Sequence, residues 1–315
     1  MKGGGSAIKN IPPFEYLKSI IVVLPPLDEQ KRIIEVLCRL NYLADNYDGL
    51  QSELKMLNVN IFNKIRKSIL QEAIQGKLLP QDPNDEPACV LLERIRAEKE
   101  RLIKEKKIKR DKNASVIYKG DDNSYYEIID KKEINISDSL PFQIPNNWQW
   151  CRIKTVLNIW SARRVHERDW RTKGIPFYRA REIGKIADLG YVNNDLYIDN
   201  SLYQEFSKSG IPHVNDLMMT AVGTLGKTYI VTDNDPFYFK DGSVLCIGNY
   251  FLDPNYLHYF FFSDSFINQF IRESQGTTVG TLTMVRLNDY YIPIPPISEQ
   301  HRITDKIKQL FQILK

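Results

Sequence analysis

Apolar residues recur at Ile33, Val36, Leu40, Leu43, Tyr47, Leu50, Leu54, Leu57 and Ile61 in an unbroken 3-4-3-4 spacing. That is the period of a helix with one face laid along another helix, an a/d seam four heptads deep. The apolar face widens through Phe62, Ile65 and Ile69, and Gly76 is the expected stop. The spacing predicts one helix over residues 29 to 75, about 70 Å long at the usual helical rise. An internal bundle helix would carry a similar stripe, but the length and regularity favour a two-helix rod.

A second pattern is an internal repeat. Residues 25 to 33 read PPLDEQKRI and residues 295 to 303 read PPISEQHRI, six of nine identical at an offset of 270. An apolar run precedes each copy, LKSIIVVL in the first and LNDYYIPI in the second. Each run reads as a strand stopped by Pro-Pro, since proline donates no ladder hydrogen bond and biases its predecessor to an extended shape. Asp28 and Ser298 are the expected N-caps, and Glu29 and Glu299 then sit in first turns, where the helix dipole favours a carboxylate. The second copy starts its own seam at Ile303, Ile307, Leu310 and Leu314, and the sequence then stops at Lys315. The repeat reads as a cyclic design cut open, with the second long helix mostly missing.

Between the copies the character changes several times. Residues 77 to 90 hold three prolines and read as a loop. Residues 91 to 110 read as a basic helix with charge pairs three and four apart, either a solvated face or a nucleic-acid contact. Residues 111 to 140 are polar and low in core formers; a polar tether is predicted over 114 to 139. From 140 to 296 a compact domain begins, with strands legible in IPFYRARE, DLMMTAVG, KTYIVT, FYFKDGSVLCIG and DYYIPIP and short helices in YLHYFFFSDSFINQFIRES. The predicted class is α+β: one mixed α/β domain plus a long coiled-coil spacer helix.

Composition bounds the function. The 315 residues are 43% hydrophobic, enough for a core. No long apolar window spans a membrane, and the amino terminus has no secretory apolar core, so a cytoplasmic address is expected. The four cysteines and four histidines are scattered without CxxC or HExxH spacing, so no metal site is expected. The net charge of +4 is concentrated locally. Residues 91 to 113 hold ten basic and five acidic side chains, and residues 160 to 182 hold seven and three. Two such patches point to an anionic partner.

Enzyme templates fail one after another. AVGTLGKT at 221 to 228 loosely fits a phosphate loop, but a strand follows it where a helix is required. Gly223 and Gly226 read better as a hairpin. IPPF at 11 to 14 lacks the Asn or Asp an amino-methylating motif needs, and no GxSxG elbow occurs. What remains is a basic and aromatic set, with Arg163, Arg164, Arg179, Arg181, Thr224 and Lys227 as candidate DNA contacts. Arginine reads guanine edges, and both Arg and Lys grip phosphates. Alternation puts Arg179 and Arg181 on one strand face beside Phe177. Salt bridges to Glu167, Asp169 and Glu182 are the competing fate, and the Tyr and Trp side chains read as core.

PPLDEQKRI with its copy PPISEQHRI, ILQEAIQGKLLPQDPNDEPACVLLERIRAEKERLIKE, LPFQIPNNWQW and GTTVGTLTMVRLNDYYIPIPP together resemble the specificity subunits of Type I restriction–modification systems. The resemblance covers essentially the whole chain. It implies a stub of a first target recognition domain at 1–28, a spacer region at 29–113, a complete target recognition domain at 140–296 and the start of a second conserved helix at 297–315. It further implies a non-catalytic subunit that reads one half of a split duplex DNA target and docks modification subunits on its conserved helices. Restriction subunits would join that complex. S-adenosylmethionine, ATP and Mg would be bound by the partner subunits and no cofactor by this chain. A homodimer through the long helices is a further expectation, and a coiled-coil protein-interaction scaffold is the alternative.

Overall fold

The computed structural model describes residues 14–111, 114–232, 236–273 and 281–314. Residues 1–13, with the first three residues of IPPF, and the start of GTTVGTLTMV lie outside the described residues. The chain divides into two compact units, Met1–Ile61 and Phe62–Lys315.

In the first unit a short helix, α1 (Phe14–Lys18), precedes a segment, 19–26, that belongs to no helix or strand. The strand expected before the first Pro-Pro is therefore absent. A strand requires a neighbour to satisfy its backbone donors and acceptors, and among the described residues none pairs with this one. Ile21 is 94% exposed. The long helix α2 (Leu27–Ile74) follows, close to the expected span. Every predicted seam residue on it is exposed, from 43% at Ile33 to 66% at Leu50, so among the described residues nothing covers the seam. The buried residues of α2 are Leu70, Ala73 and Ile74, all in the second unit.

In that unit a left-handed Gly76 (φ 72°) ends the helical run. A Cβ there would fall 2.5 Å from Pro145 Cγ, so no side chain fits. Residues 75–87 lead to α3 (Ala88–Lys104), shorter than the 91–110 expected. Left-handed Lys106 (φ 58°) closes it, with Lys107 N donating to Leu102 O at 2.9 Å. The inner face of α3 buries Ala88, Leu91, Leu92 and Ile95. Its Lys99 ammonium donates to the carbonyls of Lys154, Thr155 and Leu157, and burial pulls its pKa down to about 8.

The segment expected as a tether is a three-stranded antiparallel meander: β1 (Ser115–Lys119), β2 (Tyr125–Ile129) and β3 (Lys132–Asn135). The two turns hide the strands from a composition reading. Asn123 has positive φ in the first, and Asp130 and Lys131 both do in the second, as a two-residue hairpin loop needs. Ile117 and Tyr125 face inward, and buried Glu127 holds Arg152 at 2.7 Å.

The rest of the unit runs β4 (Gln149–Arg152), α4 (Ile153–Val156), β5 (Asn158–Trp160), β6 (Ile175–Tyr178), α5 (Ala180–Leu189), β7 (Tyr197–Ile198), α6 (Asn200–Ser207), β8 (Leu217–Thr220), β9 (Thr228–Ile230), β10 (Tyr238–Phe239), β11 (Val244–Gly248), α7 (Pro254–Phe262), α8 (Asp264–Glu273), α9 (Met284–Asp289), β12 (Tyr291–Ile294) and α10 (Ile297–Ile313). The chain is α+β, as expected. One sheet has the order β5-β11-β8-β9, another β10-β6-β7, and β12 pairs antiparallel with β4. The largest core joins α2, α3, β4, β8, β11, α7 and α10 around Trp150, Tyr256 and Phe260. A smaller cluster of Ile183, Met218, Phe239 and Cys246 fixes α5 against the sheet.

The second repeat copy is built as expected in its strand and helix, but not in its cap. Ser298 lies inside α10, which is entered directly from Pro296 (φ −48°), and Asp28 likewise lies inside α2. Proline is pre-set for a helix entrance, and its carbonyl accepts the first turn: Gln300 N to Pro296 O at 2.9 Å, Gln30 N to Pro26 O at 3.0 Å. The Gln side chain then hooks backward in both copies. Gln300 Nε2 donates to Pro295 O at 2.9 Å and Gln30 Nε2 to Pro25 O at 2.7 Å.

Candidate nucleic-acid interface

The candidate residues meet where β6 runs into α5, opposite the β8–β9 hairpin. IPFYRARE is a strand only as far as Tyr178. Arg179 is the extended residue before α5, and Arg181 lies on the helix. The strand face expected to carry both arginines does not exist. The reason lies in AREIGKIADLG: Ile183 and Ile186 recur at helical spacing and face the core, and left-handed Gly190 (φ 79°) ends the helix. Lys185 and Asp188, on the opposite side, are exposed.

Glu182, in the first turn of α5, is buried and organises both arginines. Its Oε2 accepts from Arg179 N at 3.0 Å and Arg179 Nε at 2.9 Å, and its Oε1 accepts from Arg181 Nε at 2.7 Å. Asp195 completes the set, taking Arg179 Nη2 at 3.2 Å and Arg181 Nη2 at 2.9 Å. Burial pushes the Glu182 carboxyl up, but the donors from the two arginines outweigh it and leave it at about 2. The Arg181 hydrogen bond likewise holds Asp195 below its ordinary range. Hydrogen-bonded arginines of this kind have fixed directions, unlike a lysine on a flexible stem.

Across from α5, the segment between β8 and β9 is a hairpin tip, with Gly223 (φ 78°) and Gly226 (φ 76°) left-handed. Thr220 Oγ1 ties it, accepting from Lys227 N at 3.1 Å. Thr224 is exposed at the tip, while the Lys227 ammonium crosses to Asp188 on α5. These residues, with Lys185, Lys240 and Ser243, line an open cleft of about 470 Å³. Lys240 also lines a neighbouring cleft of about 350 Å³ that contains Arg164, His166 and Trp170.

Arg163 stands apart from the first cleft. Its guanidinium lies 4.2 Å from the Phe206 ring centre and its Nη1 3.3 Å from Glu205. Trp160 packs edge-on to Phe239 at 5.2 Å, a core contact. The structure thus brings Arg179, Arg181, Thr224 and Lys227 together, sets Arg164 in the adjoining cleft, and turns Arg163 toward α6. Lys185 and Lys240 were missed from sequence. The helical period of Ile183 and Ile186 was the available signal for Lys185; nothing local marked Lys240. Among the described residues no group of His, Cys, Asp and Glu is placed to hold a metal ion, and no helix is long and apolar enough to cross a membrane.

Residues 145–315 match the family model of the Type I restriction modification DNA specificity domain, more than half of the chain. The chain belongs to that family. Among relatives, the EcoAI Type I restriction enzyme specificity subunit of Escherichia coli is 27% identical over 304 residues, covering 92% of this chain and 48% of that protein. A putative Type I specificity subunit of Haemophilus influenzae, S.HindORF215P, is 32% identical over 142 residues, covering 43% of this chain and 34% of that one. The HsdS subunit of Thermoanaerobacter tengcongensis is 15% identical with a TM-score of 0.40, covering 92% of this chain and 52% of that one. This specificity-family chain therefore spans about half the length of the EcoAI subunit. The family match takes in both clefts and all six candidate contacts.

Proposed function

We propose that this chain is a DNA-reading specificity subunit of a Type I restriction–modification complex, without catalysis of its own. The observation that carries the reading is the cleft between α5 and the β8–β9 tip. Arg179, Arg181, Lys185, Lys227 and Lys240 converge there on loops and helix ends within the family-matched region. Cations on such elements fit a duplex, with arginines on base edges and lysines on phosphates. The domain reads one half of a split target. S-adenosylmethionine, ATP and Mg act on the modification and restriction subunits, and the complex works in the cytoplasm.

The exposed seam of α2 supports a second part of the reading. A face of Ile33, Leu40, Tyr47, Leu54 and their neighbours fits a partner helix, either that of a docked modification subunit or the same helix of a second copy. The test is selection from a random duplex library by the chain together with its methylating partner, followed by sequencing. Enrichment of a short half-site supports the reading; retention without any preferred bases favours the scaffold alternative. Replacing Leu43 and Leu50 by Glu should abolish assembly, read by sedimentation, while duplex binding by the globular unit persists.

A further inference from the structure

The cations of the two clefts fall into two groups. Arg179 and Arg181 are held by Glu182 and Asp195, and Lys227 by Asp188. Lys185, Lys240 and Arg164 have no carboxylate partner among the described residues. Lys185 and Arg164 are exposed, Lys240 is half-buried, and Lys240 lines both clefts, so it stands between the cleft of Lys185 and that of Arg164.

A cation already satisfied by a carboxylate gives up that partner when it takes a phosphate, and the exchange returns little. An unpaired cation gives up only water and condensed counterions, which is the source of non-specific affinity for nucleic acid. Resting on the DNA reading above, we infer that Lys185, Lys240 and Arg164 are the phosphodiester grip of this domain. The caged arginines, whose directions are fixed by buried Glu182, are then left to meet base edges. Arg179 and Arg181 each keep Nη1 unengaged among the described residues, the end of the guanidinium that remains to donate. The grip is sequence-independent and precedes discrimination: it sets how strongly any duplex is held, and the pair beside it sets which duplex is retained.

The test uses the full chain, a mixed-sequence duplex of about 30 base pairs, and fluorescence anisotropy between 50 and 200 mM salt. The variants are K185Q/K240Q/R164Q and, as control, K55Q on α2. All four sites are exposed or half-buried, and thermal melts check that each variant stays folded. The triple variant should bind every duplex more weakly and lower the slope of log affinity against log salt by about 2.7, about 0.9 per residue. Between those salt concentrations that is an approximately 40-fold smaller loss of affinity than for the unaltered chain. K55Q should leave the slope unchanged. An unaltered chain without salt-dependent binding would overturn the DNA reading and the grip together. An unaltered chain that binds with a steep slope, retained by the triple variant or equally reduced by K55Q, would overturn the grip alone.

Discussion

The two copies of the repeat are nearly the same peptide in opposite surroundings. In PPISEQHRI, Glu299 and Gln300 are fully buried. Glu299 accepts from Trp148 Nε1 at 2.8 Å and Gln81 Nε2 at 2.6 Å, Gln300 accepts from Asp253 N at 2.9 Å, and Arg302 pairs with Asp85. In PPLDEQKRI, Glu29 is exposed, and among the described residues neither Glu29 nor Arg32 is given such a partner. What the first copy keeps is the helix entry, the bond to the Pro26 carbonyl and the backward hook of Gln30. The helix start is therefore written within the peptide, while its burial depends on what the rest of the chain brings to it.

Substitutions at matched positions test that division. The largest difference should come from Ile303→Ala against Ile33→Ala. Ile303 is 1% exposed in the main core, so its loss should cost about 2–5 kcal/mol in denaturant unfolding. Ile33→Ala should stay within about 0.5 kcal/mol; equal losses would mean that the first copy is buried as well. Next is Trp148→Phe, which removes a donor from buried Glu299 and should cost about 1–3 kcal/mol. Glu29→Gln should be silent in the same assay. Arg302→Ala leaves Asp85, 6% exposed at its side chain, without its cation, and should cost about 1 kcal/mol, against no measurable effect for Arg32→Ala.

The smallest effect is a pH dependence. Burial raises the Glu299 carboxyl above its ordinary 4.5, against donors from Trp148 and Gln81. Its charged form is thus the disfavoured one in the folded state. Its contribution is full below pH 4.5 and declines as pH rises through the raised folded value. Unfolding curves at pH 4, 5, 6 and 7 should show Glu299→Gln gaining on the unaltered chain across that window. A constant gap would place Glu299 in water.

Periodicity made the long helix readable, because nine apolar residues at alternating three- and four-residue spacing leave no other regular structure. It also exposed the repeat and the glycine hairpin. Composition misled over 114–139. SVIYK and YYEII alternate correctly, but each is too short and too flanked by charge to stand out, and the partner that buries Glu127 is Arg152, 25 residues away. The strand assigned to Arg179 and Arg181 failed for a related reason. IPFY and AREIG are separated by Arg179 alone, and only Glu182 folding back onto Arg179 N marks the switch from strand to helix. At the candidate interface the basic character was legible, and so was the pairing of Arg179 and Arg181 with Glu182, but the other partners were not. Asp188, Asp195 and Glu205 come from other turns of the chain, and they decide which cations are engaged.

The hook from glutamine to the proline carbonyl needs nothing beyond six consecutive residues. It therefore fixes the rotational phase of α2 at its first turn, before any neighbour is present. Every later residue of the seam inherits its bearing from that turn, about 100° per step. Inserting one residue after Gln30 would swing the whole apolar stripe round by that angle and leave the helix itself intact.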